Sequence, residues 1–320
     1  MRGMSSVESA ILSGMGHLLS FTGTDTIPAI YQLESSYNAN GLIGASVPAT
    51  EHSVMCMGTK EGEIETFRRL LNLYPEGILS VVSDTWNLWD VITKYLPVLK
   101  DEILARKGKL VIRPDSGDPV DIICGEPKEK WSRSIQDTPK QKGVIELLWD
   151  IFGGTVNEQG YKVLDPHIGA IYGDSITLEI AEQICERLKA KGFASTNVVL
   201  GIGSYTYQYN TRDTFGFAMK ATYGEITHKE NIGNPSTPAY IEAREIFKDP
   251  ITDDGTKRSK KGLLQVVEVE NTTMKTKHLS VIDQCTWKQE EQGLLQTVFE
   301  NGKLVKETTL EQIKTKLSNQ

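Results

Sequence analysis

Cysteine is scarce in this 320-residue chain. The four present, Cys56, Cys124, Cys185 and Cys285, lie far apart with no C-x-x-C pair. Neither a zinc site nor a disulfide framework is suggested, and reduced cytosolic thiols are the expectation. Long apolar runs are also missing. Nothing approaches the roughly 18 residues of a membrane span, and the opening MRGMSSVESA lacks the apolar core of a signal peptide. A cytoplasmic protein with no membrane partner is expected. Basic charge is in deficit, with a formal net charge of −7. A nucleic-acid or anionic-membrane surface would need a basic face, so neither partner is expected, and any phosphate site must be locally basic. Low-complexity tracts and fixed-period repeats are absent too. What remains, 39% hydrophobic and 24% charged, suffices for one large domain with a full core and a smaller second one.

The first two-thirds alternates short apolar runs with amphipathic stretches, the pattern of parallel strands joined by crossover helices. Predicted strands are HLLSFT (17–22), IGASVP (43–48), ILSVVS (78–83), KLVIRP (109–114), IGAIYG (168–173) and NVVLGIG (197–203). Predicted helices between them are TIPAIYQLESSY, EGEIETFRRLLNLY, NLWDVITKYLPVLKDEILAR, GVIELLWDIF and LEIAEQICERLKAKG, the last closing on Gly192 as a C-cap. From about residue 213 the texture changes. TFGFAMKATYG reads as a further strand, QTVFENGKLVKE as a hairpin about Asn301-Gly302, and TLEQIKTKL as a short amphipathic helix. The fold class expected is α/β: a barrel-like catalytic domain over 1–212 and part of a smaller α+β accessory domain over 213–320.

Each predicted strand ends in polar, chemically capable residues: TGTD (22–25), PATEHS (48–53), SDTW (83–86), RPDSGD (113–118), GDS (173–175) and GIGS (201–204). In a barrel or open parallel sheet these ends share one face, where active sites are assembled. A single aspartate there can equally be a helix N-cap, which is the alternative for Asp25. Arg113 offers a planar, permanently charged fork, while Asp115 and Asp118 offer oxygens to a hard cation or to ribose hydroxyls. Two apart on a strand, Arg113 and Asp115 point to the same side. Gly173 leaves room for a sugar hydroxyl at Asp174. GIGS suits an anion at backbone N–H groups, with Arg212 about two turns further on if that stretch is helical. His52 has a bland alternative, a strand-end histidine satisfied by a carboxylate such as Glu51, and KRSKKG (257–262) reads most simply as a solvated turn.

In order along the chain, RGMSS, FTGTDT, PATEHS, SVVSD, IRPDSGDP, YGDS, GIGS…TRD, FKDP and KRSKKG resemble the nicotinamide phosphoribosyltransferases, type II phosphoribosyltransferases of NAD salvage. The resemblance implies a Mg2+-dependent reaction of nicotinamide with 5-phosphoribosyl 1-pyrophosphate, giving nicotinamide mononucleotide and pyrophosphate. It implies that Asp25 accepts a hydrogen bond from the nicotinamide amide, that Arg113 lies against the pyridine ring, and that Ser80 is on the amide side. Asp115 is then an active-site aspartate of the ribose and metal region, and Asp84 another pocket carboxylate. Gly173 and Asp174 match the ribose-binding pair, and Gly203, Ser204, Arg212 and Arg2 the phosphate-binding set. His52 matches the histidine that family members phosphorylate from ATP. No residue is assigned to the metal itself.

The pattern departs from the family in two places. Ser204 and Tyr205 stand where glycines are usual after Gly203. Family members also carry a long segment ahead of RGMSS that completes the accessory domain and supplies an aromatic ring. The resemblance implies a homodimer, and three accounts of the absent segment stand side by side: a separate N-terminal chain as a further partner, an internal start in a truncated gene model, and an inactive fragment. A nicotinate-preferring enzyme and a non-catalytic nucleotide-binding subunit are the competing functions. An aldolase-type barrel would need a Schiff-base lysine at a strand end, and none of the six ends has one.

Overall fold

The apolar runs of the first two-thirds pair as parallel strands in the computed structural model, which describes residues 4–127, 130, 138–203, 219–229, 239–252, 259–271 and 276–318. Strands β1 (Leu79–Val82), β2 (Leu110–Arg113), β3 (Gly154–Val156), β4 (Lys162–Leu164), β5 (Ile168–Tyr172) and β6 (Val198–Leu200) follow one another in the chain. Of these, β1, β2, β5 and β6 form one sheet in that order. Every pair in it is parallel, with Leu79 opposite Leu110, Ile112 opposite Ala170, and Tyr172 opposite Leu200. All four β1 residues are buried, as expected for a parallel sheet covered on both faces. The β3–β4 hairpin is a separate antiparallel insertion.

Two further parallel runs extend this order as single bridges, Gly23 with Ala45 and Ala49 with Ser80. Thr24 donates to Ala45 O at 3.0 Å, Ser80 N–H to Pro48 O at 2.9 Å and Thr50 N–H to Ser80 O at 3.0 Å. The expectation of a strand at HLLSFT is wrong, because His17 and Leu18 close the helix Val7–Leu18. Ser6 caps that helix by accepting from Ser9 N–H at 3.0 Å. It also packs tightly on the helix Ile27–Tyr37: a methyl group added at Gly14 would lie 2.7 Å from Ala29 Cβ. Strand-like pairing is displaced to Gly23, and IGASVP pairs only at its single bridges.

The crossover helices occur where apolar periodicity places them, at Glu63–Leu73, Leu88–Leu104, Pro139–Phe152 and Leu178–Ala190. The second of these changes to π-helix over Val91–Tyr95. Pro97 has no N–H to offer Thr93, which disrupts the ladder there, and Thr93 Oγ1 turns to Trp89 O at 2.7 Å. The last is followed by Gly192 at φ +76°. Its Leu188 joins Phe67, Ile92, Leu99, Ile112, Ile123, Val144, Ile145 and Ile184 in one continuous core between sheet and helices.

By packing, the chain divides into two units, 1–221 with 246–259, and 222–245 with 260–320. The boundary expected at 212 falls among residues outside the described set. The second unit contains strands β7 (Tyr223–His228) and β8 (Tyr240–Glu245), β9 (Leu263–Asn271) and β10 (Thr276–Cys285), and the short pair β11 (Phe299–Glu300) and β12 (Lys303–Leu304), each pair antiparallel. The predicted strand TFGFAMKATYG is described only from Met219 and is extended only from Tyr223. Asn301 and Gly302, at φ +48° and +82°, make the β11–β12 turn, the left-handed pair that a two-residue hairpin requires. A helix closes the unit at Leu310–Ser318. Among the described residues no helix is long and apolar enough to cross a membrane.

Candidate active site

Parallel pairing of β1, β2, β5 and β6 brings their carboxyl ends to one edge of the sheet. Asp84, two residues beyond β1, is the most enclosed charged group there at 1% exposure. Its Oδ2 accepts from Asp115 N–H at 3.0 Å and from the Ser116 hydroxyl at 2.5 Å. Its Oδ1 lies 3.2 Å from His52 Nε2. Burial pushes the Asp84 pKa up, but His52, Ser116 and the Asp115 amide together hold it below the ordinary carboxylate range. An ionised carboxylate only accepts hydrogen bonds, so His52 donates from Nε2. The partner of His52 is thus Asp84, 32 positions away, and not Glu51 beside it.

At the end of β2, Arg113 and Asp115 meet as expected for positions two apart: Nε reaches Oδ1 at 3.3 Å and Nη2 reaches Oδ2 at 3.1 Å. Both are partly buried. Burial works against the guanidinium charge, but Asp115, with the charges of Glu51 and Asp84, more than compensates and the Arg113 pKa stands above its ordinary value. Gly173, just past β5, lies against this pair. A Cβ there would overlap Asp115 Oδ1 and come 2.7 Å from Arg113 Nε. No other residue type fits without moving the ion pair.

Asp118 takes the bland role. It caps the helix Pro119–Cys124, accepting from Asp121 N–H at 2.9 Å. Asp25 does not cap the helix after it, whose N-cap is Thr26. Instead its Oδ1 accepts from the Ser46 hydroxyl at 2.5 Å, joining the two segments bridged at Gly23 and Ala45. Ser80, within β1, is buried, and its hydroxyl has no hydrogen-bond partner among the described residues. Asp174 is exposed beside Gly203, which adopts φ +66°. Arg2, Ser204 and Arg212 lie outside the described residues, as do Lys257 and Arg258 of KRSKKG.

Sequence reasoning missed Thr252 and assigned no role to Ser116. Residues 246–252 return to the strand ends: Asp249 N–H donates to Thr85 O and Ile251 N–H to Trp86 O, both at 3.2 Å. Cys56 Sγ donates to Phe247 O at 2.7 Å, and Trp86 meets Phe247 edge-on at 5.0 Å. The Thr252 hydroxyl hydrogen-bonds that of Ser116. The only hint of this in the sequence is FKDP, which ends at Pro250. Among the described residues no group of three or more His, Cys, Asp or Glu side chains is placed to hold a metal ion.

The profile of the nicotinate phosphoribosyltransferase (NAPRTase) family matches residues 1–303. The chain belongs to that family. Proteins named nicotinamide phosphoribosyltransferase are similar to it. One from Acinetobacter baylyi is 52% identical over 326 aligned residues, covering 100% of this chain and 60% of the relative. One from Mycoplasma pneumoniae is 42% identical over 259 residues, 81% of this chain and 51% of the relative. A third, from Xanthomonas campestris pv. campestris, is 35% identical over 316 residues, 98% and 60%. The chain thus spans between half and two-thirds of the length of these relatives.

Proposed function

We propose that this chain carries the strand-end half of a nicotinamide phosphoribosyltransferase active site, acting in NAD salvage. The reaction moves a phosphoribosyl group from 5-phosphoribosyl 1-pyrophosphate to nicotinamide. The C1′–O bond breaks with its electron pair leaving on pyrophosphate, and the ring-nitrogen lone pair forms the C1′–N bond of nicotinamide mononucleotide. The observation that carries this reading is the Arg113–Asp115 pair seated on Gly173, beside the Asp84–His52 pair, at the shared ends of three parallel strands.

The reacting carbon becomes cationic and the leaving group anionic, so positioning and fixed charge supply the catalysis. Arg113, held flat by its two bonds to Asp115, offers a planar cation to the pyridine ring. Asp115 and Asp174 face the ribose, with Gly173 keeping the approach open. Asp25 accepts the amide N–H. A carboxylate there repels nicotinate, which favours the amide substrate. Ser80 sits on the amide side, and Gly203, Ser204, Arg212 and Arg2 hold phosphate. His52, donating through Nε2, keeps Nδ1 as a lone-pair nitrogen for phosphorylation by ATP.

The donor set bears on Mg2+. Both oxygens of Asp84 are committed to hydrogen bonds, and no protein-only cluster exists among the described residues. Asp115 is likewise bonded to Arg113 through both oxygens, so an ion would be carried mainly by the diphosphate, with Asp115 the carboxylate that would share it, in the way magnesium usually binds through one or two carboxylates and substrate phosphates. When bound, it would neutralise charge on the leaving pyrophosphate.

In this reading the six parallel runs are the wall of a type II phosphoribosyltransferase barrel, and the second unit is part of an accessory α+β domain. The protein is cytoplasmic and pairs as a homodimer. The test is product formation from nicotinamide and phosphoribosyl pyrophosphate by the purified chain, alone and mixed with the N-terminal part of a full-length relative, with nicotinate in parallel. Nicotinamide mononucleotide formation in either condition supports the reading. A folded chain that yields none in both sinks it, and faster turnover of nicotinate overturns the substrate.

A further inference from the structure

The Asp84–His52 pair does not end at Asp84. Asp84 Oδ2 accepts from the Ser116 hydroxyl at 2.5 Å, and Ser116, fully buried at 0% exposure, also meets the Thr252 hydroxyl. A serine hydroxyl has one proton to give. Ser116 gives it to the ionised Asp84, so in the second contact Ser116 must accept and Thr252 must donate. The chain is therefore directional: Thr252 to Ser116, Ser116 to Asp84, with His52 Nε2–H arriving on the other oxygen. Donors arranged in series polarise one another.

Thr252 is held for this contact by independent features. Asp249 and Ile251 are bonded to Thr85 O and Trp86 O, immediately after Asp84. Gly117 takes φ +85°, and a Cβ there would come 2.9 Å from Thr252 O. This turn both needs the left-handed backbone and lets the two segments meet.

We propose that Thr252 and Ser116 are positioning residues for the reaction, acting through Asp84 to hold His52 in the tautomer that carries its proton on Nε2 and its lone pair on Nδ1. The hydrogen-bond chain would make the returning segment 246–252 part of the active site although none of its side chains need touch substrate. The proposal rests on the phosphoribosyltransferase reading only for its kinetic consequence.

The test uses the full chain labelled with 15N-histidine, in which one of five histidines is assigned to His52 by its loss in His52→Gln. At a pH where the ring is neutral, the parent should show a protonated Nε2 and an unprotonated Nδ1. Thr252→Val keeps the shape and removes the hydroxyl; it should move both ring signals toward tautomer exchange. Thr252→Ser should restore them. Ser116→Ala should move them further. In whichever preparation makes nicotinamide mononucleotide, Thr252→Val should lower kcat roughly fivefold, about one neutral hydrogen bond, with KM for nicotinamide unchanged. His52 signals unmoved in Thr252→Val and Ser116→Ala overturn the proposal, as does a shift that Thr252→Ser fails to reverse. If no preparation forms product, the enzymatic reading fails, and the nitrogen signals still decide the chain of bonds.

Discussion

Gly173 packs against Asp115 so closely that a single methyl group would lie 1.8 Å from Asp115 Oδ1. The two residues follow the ends of neighbouring parallel strands, β5 and β2, and their contact fixes where the carboxylate can lie and hence where Arg113 is held. Gly173→Ala must push Asp115 aside and open its paired bonds to Arg113. The expected result is a drop in kcat/KM for nicotinamide mononucleotide formation of roughly a hundredfold, the scale of a 1 Å misplacement. Stability should fall by about 1–3 kcal/mol. Activity within twofold of the parent would show that the ion pair is not a working part of the site.

Asp84→Asn replaces an acceptor-only group by one with two donors, which cannot satisfy His52, Ser116 and the Asp115 amide together. Loss of about 1–3 kcal/mol is expected at neutral pH, measured by urea unfolding. The pH dependence has a definite sign. The Asp84 pKa is depressed in the folded protein, so its contribution is present above the unfolded value and lost as pH falls through the folded one. The variant should therefore lose less stability than the parent on acidification below about pH 4.

Asp25 is exposed and bonded only to Ser46 among the described residues. Asp25→Ala should leave the unfolding midpoint within about 0.5 kcal/mol. It should raise KM for nicotinamide roughly tenfold or more, the loss of a hydrogen bond to a charged acceptor, while KM for phosphoribosyl pyrophosphate stays put. An unchanged KM and rate for nicotinamide remove Asp25 from the amide site.

Glu63 is 1% exposed, and its Oε1 has no partner among the described residues. Burial, with the nearby charges of Asp84 and Asp90 adding to it, pushes its pKa up from 4.5 to about 8. The folded state therefore binds a proton that the unfolded chain has lost, and stability declines as pH rises from about 4.5 to about 8. Glu63→Gln, uncharged throughout, should flatten this decline and stabilise the protein by a few kcal/mol at pH 8.5 or so. Parallel stability curves for parent and variant across that range would place the proton elsewhere.

The parallel strands β1, β2, β5 and β6 were legible in the sequence because each is a short apolar run followed by a polar turn. Arg113 with Asp115 was legible too, since alternation along a strand sets which side chains share a face. HLLSFT misled because a short apolar run has no decisive period, and the Gly14–Ala29 helix contact that settles it is visible only when both helices are placed. Asp118 could be told from Asp115 only by its bond to Asp121 N–H.

By itself, then, the amino-acid sequence determined the α/β alternation, the row of Asp, Arg and Gly residues at strand ends and the family to which they belong, because all of these are local patterns along the chain. Tertiary structure alone decided that His52 answers to Asp84 and not Glu51, that Gly173 is the seat of the Arg113–Asp115 pair, and that Thr252 closes on Ser116 from 136 positions away. These contacts depend on which segments fold back against one another, and a single hydrogen bond between distant residues leaves no periodic trace in the sequence.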